Sequence, residues 1–141
     1  MSQPLAPPVM QRWLRAIEHT GAPDPLEDPL ADLLADALDN EVVFYSPAVF
    51  SPQRGRDLTA AYLRAAARMF ASTDFHYVEK WFGPQSAVLA FSATVDGLTV
   101  EGVDIIHWND DDRIVSVKVM IRPFKALQSV IGRMAELLAA P

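Results

Sequence analysis

The hydrophobic positions of this chain follow two different repeats. From residue 8 to residue 70, with one strand-like interruption, apolar residues recur every three or four positions, as on the inner face of a helix. From residue 74 to residue 122 they alternate with polar residues, as in the strands of a half-buried sheet. Helices followed by a run of antiparallel strands are the pattern of an α+β fold.

Three helices and one strand are predicted before the main sheet. The first helix covers roughly residues 8–20, and after a proline-rich segment residues 30–38 predict a short second helix. Residues 42–45 are rich in β-forming side chains and end at Ser46-Pro47, which predicts a strand and then a loop. The third helix begins near Gly55-Arg56-Asp57, where the aspartate suits the cap or the first turn. Its inner face is predicted to carry Leu58, Ala61, Tyr62, Ala65 and Met69.

Four strands and a last helix complete the pattern. The strands are predicted over residues 74–82, 86–95, 98–108 and 113–122. The last helix follows Pro123, and its predicted core positions are Phe124, Leu127, Val130, Ile131 and Met134.

The turn Asp96-Gly97 is a strong signal for a two-residue hairpin. It sets Val95 opposite Leu98, and counting along both strands then sets Leu89 opposite Asp104. The face that carries Asp104 is therefore expected to be apolar on both strands of this hairpin.

The next turn, residues 109–112, allows two registers that differ by one residue, and such a slip exchanges the two faces of a strand. Pairing Trp108 with Arg113 sets Asp104 opposite Val117 and keeps its face apolar, so burial favours this register. The same register pairs Gly102 with Val119 and Val100 with Ile121. The alternative register would bring Lys118, Met120 and Arg122 to that face.

The opposite face of these strands mixes apolar and polar side chains. Because it is too apolar for a wet surface and too polar for a core, we expect it to bury against a second copy of the chain. Its residues are Val88, Ala90, Ser92, Thr94, Glu101, Val103, Ile105, His107, Ser116, Lys118, Met120 and Arg122.

Asp104 is an acid among apolar residues and is the leading functional candidate. Burying a carboxyl group is costly unless something compensates it. In one interpretation, desolvation raises its pKa and keeps it a proton donor near neutral pH. In the other, it bonds to a backbone amide or a helix group and fastens the fold.

Composition limits the classes of function. The 141 residues suit one domain, with residues 1–8 as a flexible leader and residues 9–141 as the domain. A net charge of -6 disfavours nucleic acid and anionic membranes as partners. There are no cysteines and no evident signal peptide, so we expect a cytoplasmic protein. The acidic turn at residues 110–112 lacks the glycine and glutamate of a calcium loop, so no metal is expected.

Over roughly residues 9–135 the chain resembles the NTF2-like superfamily, in particular its SnoaL-like and ketosteroid-isomerase-like branches. The resemblance implies a cone of helices against a curved antiparallel sheet, with a pocket between them and a C-terminal helix. The segments that carry it are Ser46-Pro47, Gly55-Arg56-Asp57 with Tyr62, Asp96-Gly97, residues 102–106, Arg113-Ile114 and residues 121–124.

In ketosteroid isomerases a protonated aspartate on the third strand of the sheet donates a hydrogen bond to the developing oxyanion, and Asp104 matches that position. The base aspartate of those enzymes corresponds to Ser46, and their first-helix tyrosine to Trp13. Because a serine needs an activating base to move a proton, steroid isomerisation is not expected. The Arg–Asp pair of the epoxide-hydrolase branch is also missing, and its further catalytic aspartate corresponds to Val119.

These observations predict a homodimeric domain that binds a small, mostly apolar molecule, with Asp104 as polar anchor and candidate catalytic acid. Any catalysis is expected to be acid–base chemistry without metal or organic cofactor, such as isomerisation or cyclisation of a carbonyl compound. The alternative is a non-catalytic binding or scaffold module that uses the outer sheet face. The expected ligand contacts are Trp13, Tyr45, Ser46, Tyr62, Leu89, Phe91, Val117, Val119 and Ile121.

Overall fold

The computed structural model describes residues 6–18 and 28–139, and it places four helices against one six-stranded sheet. The predicted α+β fold is confirmed. The helices are α1 (Pro8–Glu18), α2 (Pro29–Asp36), α3 (Arg56–Phe70) and α4 (Phe124–Ala139). The strands are β1 (Leu38–Tyr45), β2 (Gln53–Arg54), β3 (His76–Phe82), β4 (Ser86–Val95), β5 (Leu98–Trp108) and β6 (Ile114–Arg122).

The bounds differ from the predicted ones mainly at the ends of elements. The predicted leader includes residues 1–5, and the predicted first helix includes residues 19–20. Both segments lie outside the described residues. The first strand begins at Leu38, earlier than predicted, and β2 is an additional short strand. None of the helices in the described ranges is long and apolar enough to cross a membrane.

The strands lie in the order β2-β1-β6-β5-β4-β3. All neighbours are antiparallel except β1 and β6, which run parallel, so the sheet is mixed. A parallel pair needs a long connection between its strands, and here that connection contains α3 and most of the sheet. Helix α4 packs on β4, β5 and β6, whereas α2 and α3 contact β1.

The register of the β4–β5 hairpin is confirmed. Val95 lies opposite Leu98, and Leu89 lies opposite Asp104. Asp96 and Gly97 have φ angles of 52° and 78°. Two consecutive left-handed residues are what a tight hairpin of this twist requires.

The predicted β5–β6 register is wrong by two residues. Asp104 lies opposite Val119 instead of Val117, and a β-bulge separates the pairs formed by His107 and Trp108. Further pairs are Gly102 with Ile121 and Trp108 with Ile114. Because the error is an even number of residues, the predicted inner and outer faces of β6 are retained.

The turn accounts for one residue of this shift, and the bulge between His107 and Trp108 accounts for the other. The Asn109 side chain accepts hydrogen bonds from the backbone N–H groups of Asp111 and Arg113, at 3.0 and 3.1 Å. The Asn109 N–H donates to the Arg113 carbonyl at 3.0 Å. Arg113 therefore belongs to the turn and the strand begins at Ile114, whereas the prediction counted Arg113 as its first paired residue.

Two helix faces also differ from prediction. On α3 the buried residues are Thr59, Ala60, Leu63, Ala65, Ala67 and Met69, while Leu58 is 41% exposed. The helix contacts β1 and α4, so its buried surface is turned away from Leu58. Gly55 is the N-cap, and Asp57 lies in the first turn. On α4 Ala126 and Val130 are buried, whereas Phe124 and Ile131 are exposed.

Candidate functional site

A cavity of about 600 Å³ lies between the inner face of the sheet and helices α1, α2 and α3. Most of its wall is apolar, as is usual for sites that bind small organic molecules. Representative wall residues are Leu14, Ile17, Leu33, Phe70, Phe75 and Phe91.

Asp104 is the acid in this wall that is removed from solvent, with only 8% of its surface exposed. The alternation of β5 directs its side chain to the inner face, as Val100 and Ile106 on the same strand are fully buried. Its cross-strand neighbours are Leu89 and Val119, and neither can compensate a charge. No Lys, Arg or His in the described parts of the chain forms an ion pair with it.

Two neutral side chains make a line of hydrogen bonds to Asp104. The Tyr77 hydroxyl on β3 donates to Oδ2 of Asp104 at 2.7 Å. The Trp13 Nε1–H on α1 donates to the Tyr77 oxygen at 3.0 Å. The line connects the first helix, the edge strand and the centre of the sheet.

Burial sets the protonation behaviour of this group. Desolvation raises the pKa of Asp104 from 3.8 to about 7, and the hydrogen bond from Tyr77 acts in the opposite direction. The pKa of Tyr77 is raised well above 10 by burial and by the nearby Asp104 carboxylate. Near neutral pH Asp104 is thus divided between its acid and carboxylate forms, while Tyr77 keeps its proton.

The rim of the cavity carries the other titratable lining residues: Glu18, Asp74, His76 and Lys80. All of them are exposed to solvent. The His76 Nδ1 atom lies 2.8 Å from the Asp74 backbone carbonyl oxygen. The described residues contain no group of three His, Asp or Glu side chains that could hold a metal ion.

Solved structures with the same fold are found among bacterial proteins. An NTF2-like protein from Mesorhizobium loti is 19% identical, with a TM-score of 0.66 over 87% of this chain and 98% of that chain. A SnoaL-like protein from Burkholderia thailandensis is 20% identical, with a TM-score of 0.60 over 85% of this chain and 100% of that chain. A steroid delta-isomerase from Pseudomonas aeruginosa is 30% identical, with a TM-score of 0.81 over 98% of this chain and 96% of that chain. The chain belongs to the NTF2-like superfamily. Within it, the similarity is to the SnoaL-like and steroid-isomerase branch.

Sequence comparisons do not assign a function to this NTF2-like domain. No protein-family model matches the chain, and no curated protein matches it.

Three of the residues expected to contact a ligand line the cavity of this NTF2-like domain: Trp13, Phe91 and Val119. Leu89 and Val117 are completely buried in the core beneath it. Ile121 packs against a second core cluster, which lies toward α4.

The other three expected contacts lie elsewhere. Tyr45 is on the outer side of the sheet, with the Lys118 Nζ 5.0 Å from its ring centroid. The Ser46 hydroxyl accepts a hydrogen bond from the Ala48 N–H at 3.0 Å, in the loop after β1. The Tyr62 ring stacks on Phe44 with centroids 4.9 Å apart, behind the cavity wall.

Tyr77 is the functional candidate that the sequence did not single out. The strand period of two puts Tyr77 and Phe75 on the same face of the strand predicted over residues 74–82, but nothing in the sequence shows which face that is. A bulge interrupts the β3–β4 pairing between Tyr77 and Glu79, so the register cannot be obtained by counting from the turn. The bond to Asp104 required the tertiary structure.

Proposed function

We propose that this NTF2-like domain binds a small apolar carbonyl compound and that Asp104 donates a hydrogen bond to its carbonyl oxygen. The observation that carries the proposal is a buried carboxyl group with one oxygen open to an apolar cavity. A group of this kind serves to orient a guest whose remaining surface makes hydrophobic contacts.

The two oxygens of Asp104 have different surroundings. Oδ2 accepts the hydrogen bond from Tyr77, whereas Oδ1 has no partner among the described residues. Thr59 Oγ1 is the sole fully buried side-chain oxygen or nitrogen in those residues that lacks a partner. Oδ1 of Asp104 therefore keeps accessible surface, and the residue lines the cavity.

The same contact supports acid–base chemistry. A hydrogen bond donor at a carbonyl oxygen stabilises the negative charge that develops there during isomerisation or cyclisation. Such a reaction also needs a base, and the carboxylates of the described lining other than Asp104 are Glu18 and Asp74, both at the rim. The similarity to a steroid delta-isomerase supports an apolar carbonyl compound as the class of guest.

The test is a thermal-shift screen with steroid, terpenoid and aryl ketones, each paired with its parent hydrocarbon. A ligand at a hundred times its Kd stabilises the fold by about 2.7 kcal/mol. For a chain of this size that raises the melting temperature by about 5–10 °C. We expect ketones to exceed their hydrocarbons, Asp104→Leu to abolish the difference, and Asp104→Asn, whose amide can still donate, to keep most of it. Equal shifts for ketone and hydrocarbon, or an unchanged preference in Asp104→Leu, contradict the proposal.

A further inference from the structure

Trp13, Tyr77 and Asp104, which are connected by hydrogen bonds from α1 to β5, differ in their ability to donate and accept hydrogen bonds. The Trp13 indole N–H is a donor and cannot accept, the Tyr77 hydroxyl can do both, and Asp104 can donate only when it is protonated. The order of these groups therefore restricts where each hydrogen atom is placed.

We infer that Trp13 and Tyr77 are positioning residues that hold the proton of neutral Asp104 on Oδ1, the oxygen that opens to the cavity. The inference rests on the proposed function, because it states how the binding group is kept in its donor form. It also restricts the guest to molecules that present an acceptor, such as a ketone or enolate oxygen, at this point.

Trp13 decides the direction of the Tyr77 hydroxyl. One lone pair of a phenol oxygen is delocalised into the ring, so the oxygen has one O–H and one strong acceptor direction. The Trp13 N–H occupies that acceptor direction at 3.0 Å. Trp13 is 3% exposed and its N–H is already bonded to the Tyr77 oxygen, so the hydrogen atom of Tyr77 is left to point at Asp104.

Tyr77 in turn decides which oxygen of Asp104 is protonated. Its hydroxyl donates to Oδ2 at 2.7 Å, so a proton on Oδ2 would face another hydrogen atom. The acid form of Asp104 therefore carries its proton on Oδ1. A ligand that points a hydroxyl hydrogen at Oδ1 would face the proton of Asp104 and could not form a hydrogen bond in that orientation. A ligand carbonyl oxygen at the same place would accept a hydrogen bond from it.

The charged groups around Asp104 leave this arrangement undisturbed. From β4 and β6 it is faced by Leu89 and Val119, and the cavity residues of α2 and α3 are not titratable. The remaining titratable lining residues are the four exposed ones at the rim, Glu18, Asp74, His76 and Lys80. Because they are in contact with solvent, water screens their influence on the buried group.

The first experiment follows the carboxyl carbon of Asp104 by ¹³C NMR during a pH titration of the ligand-free protein. We expect a midpoint near 7 in the wild type. Tyr77→Phe should move the midpoint to higher pH, because it removes a donor that favours the carboxylate. Trp13→Phe should move it in the same direction by less, since the indole N–H strengthens Tyr77 as a donor. Tyr62→Phe, which removes a hydroxyl outside the cavity, is the matched control and should leave it unchanged.

The sign of this shift separates the two possible directions of the Tyr77–Asp104 bond. If Asp104 donated to Tyr77 instead, the bond would favour the acid form, and Tyr77→Phe would lower the midpoint. A lowered or unchanged midpoint in Tyr77→Phe overturns the inference, and it does so whether or not any ligand binds.

The second experiment uses 2-acetylnaphthalene as a probe and records its C=O stretching band by infrared spectroscopy in the bound state. Below the midpoint we expect the band at lower wavenumber than in an apolar solvent, and we expect this shift to be lost above the midpoint and in Asp104→Leu. In Tyr77→Phe the shifted band should persist to higher pH. A band that stays shifted in the wild type above the midpoint, where Asp104 has no proton to donate, would contradict the inference.

The two proposals fail in different ways. Loss of the ketone preference in the thermal-shift screen counts against the proposed function, while the NMR midpoints still decide the direction of the Tyr77–Asp104 bond. If ketones bind but Tyr77→Phe leaves the titration midpoint of Asp104 unchanged, the proposed function stands. The positioning role of Trp13 and Tyr77 is then contradicted.

Discussion

Asp104 illustrates how a single buried side chain can couple stability to pH. Desolvation is the largest cause of its raised pKa, and Tyr77 offsets only part of it. In the unfolded chain the same carboxyl group titrates near 3.8. Between these two pKa values the folded protein binds more protons than the unfolded one, so the free energy of unfolding decreases as pH rises from about 4 to about 7.

The raised pKa of Asp104 predicts that the stability of the protein depends on pH. From pH 5 to pH 8 the wild type should lose about 2–3 kcal/mol of unfolding free energy through Asp104, given 1.36 kcal/mol for each pH unit of difference. Asp104→Asn cannot ionise and should lack this component. Urea unfolding of both proteins at several pH values measures the difference. Parallel stability profiles for the two proteins would contradict the assigned protonation behaviour.

The sequence could identify Asp104 but not its partner. An acid at an apolar position of an alternating strand is visible without coordinates, as is the Asp96-Gly97 turn that sets its β4 neighbour. Tyr77 reaches Asp104 from the edge strand β3, past a bulge that counting does not reveal. Trp13 was expected near a ligand only from the family position, and its bond to Tyr77 joins residues 64 positions apart.

Among the secondary-structure elements, β5 packs closely against the Phe91 ring of β4 at Gly102. Gly102 lies opposite Phe91, and a Cβ atom added to it would be 2.3 Å from the Phe91 Cζ and 2.8 Å from the Met120 carbonyl oxygen. The absence of a side chain at residue 102 leaves room for the Phe91 ring beside β5, where the ring forms part of the cavity wall.

We therefore predict that Gly102→Ala destabilises the fold by about 1–3 kcal/mol through overpacking. The expected loss should be smaller when it is introduced together with Phe91→Leu, because the shorter side chain makes room for the new methyl group. Gly132→Ala is a suitable control, since nothing lies within 4 Å of its added Cβ atom and α4 should gain about 0.5–1 kcal/mol of helix stability. Denaturant unfolding of the four variants measures these changes. Additive losses for Gly102→Ala and Phe91→Leu would show that the ring is not the obstacle.

The two hairpins show which local sequence signals are enough to predict a strand register. The β4–β5 register followed from a two-residue turn whose geometry admits one pairing. The β5–β6 register did not, because Asn109 extends its turn to Arg113 and a bulge adds a further residue. The faces of β6 were nevertheless assigned properly, since burial tolerates only shifts by an even number of residues.

At the scale of the whole molecule, the outer face of the sheet retains large apolar side chains in contact with solvent. Val78 is 54% exposed, Trp81 52% and Met120 52%. The same face carries side chains of both charges, among them Glu101 and Arg122, which form an ion pair at 3.2 Å. A two-fold axis would bring such a face against itself, with apolar residues meeting apolar ones and opposite charges within reach.

The homodimer expected from the sequence stays a prediction, and it has a direct test. Light scattering after size-exclusion chromatography should give twice the chain mass for the wild type. Met120→Asp places a charge on the outer face and should weaken association at least tenfold, about 1.4 kcal/mol or more. Leu138→Asp on α4, away from that face, serves as the control. A monomeric wild type, or a dimer indifferent to Met120→Asp but broken by Leu138→Asp, would exclude this interface.

The α+β class, the order of the main elements, the β4–β5 register and an acid on the apolar sheet face could all be predicted from the amino-acid sequence. These features depend on local periodicity and turn geometry, which are properties of residues close together in the chain. The parallel pairing of β1 with β6, the shift of β6 and the hydrogen bonds from Trp13 through Tyr77 to Asp104 became evident from the three-dimensional structure. Such features depend on how distant segments pack, and a difference of one or two residues at a turn or bulge is enough to change them.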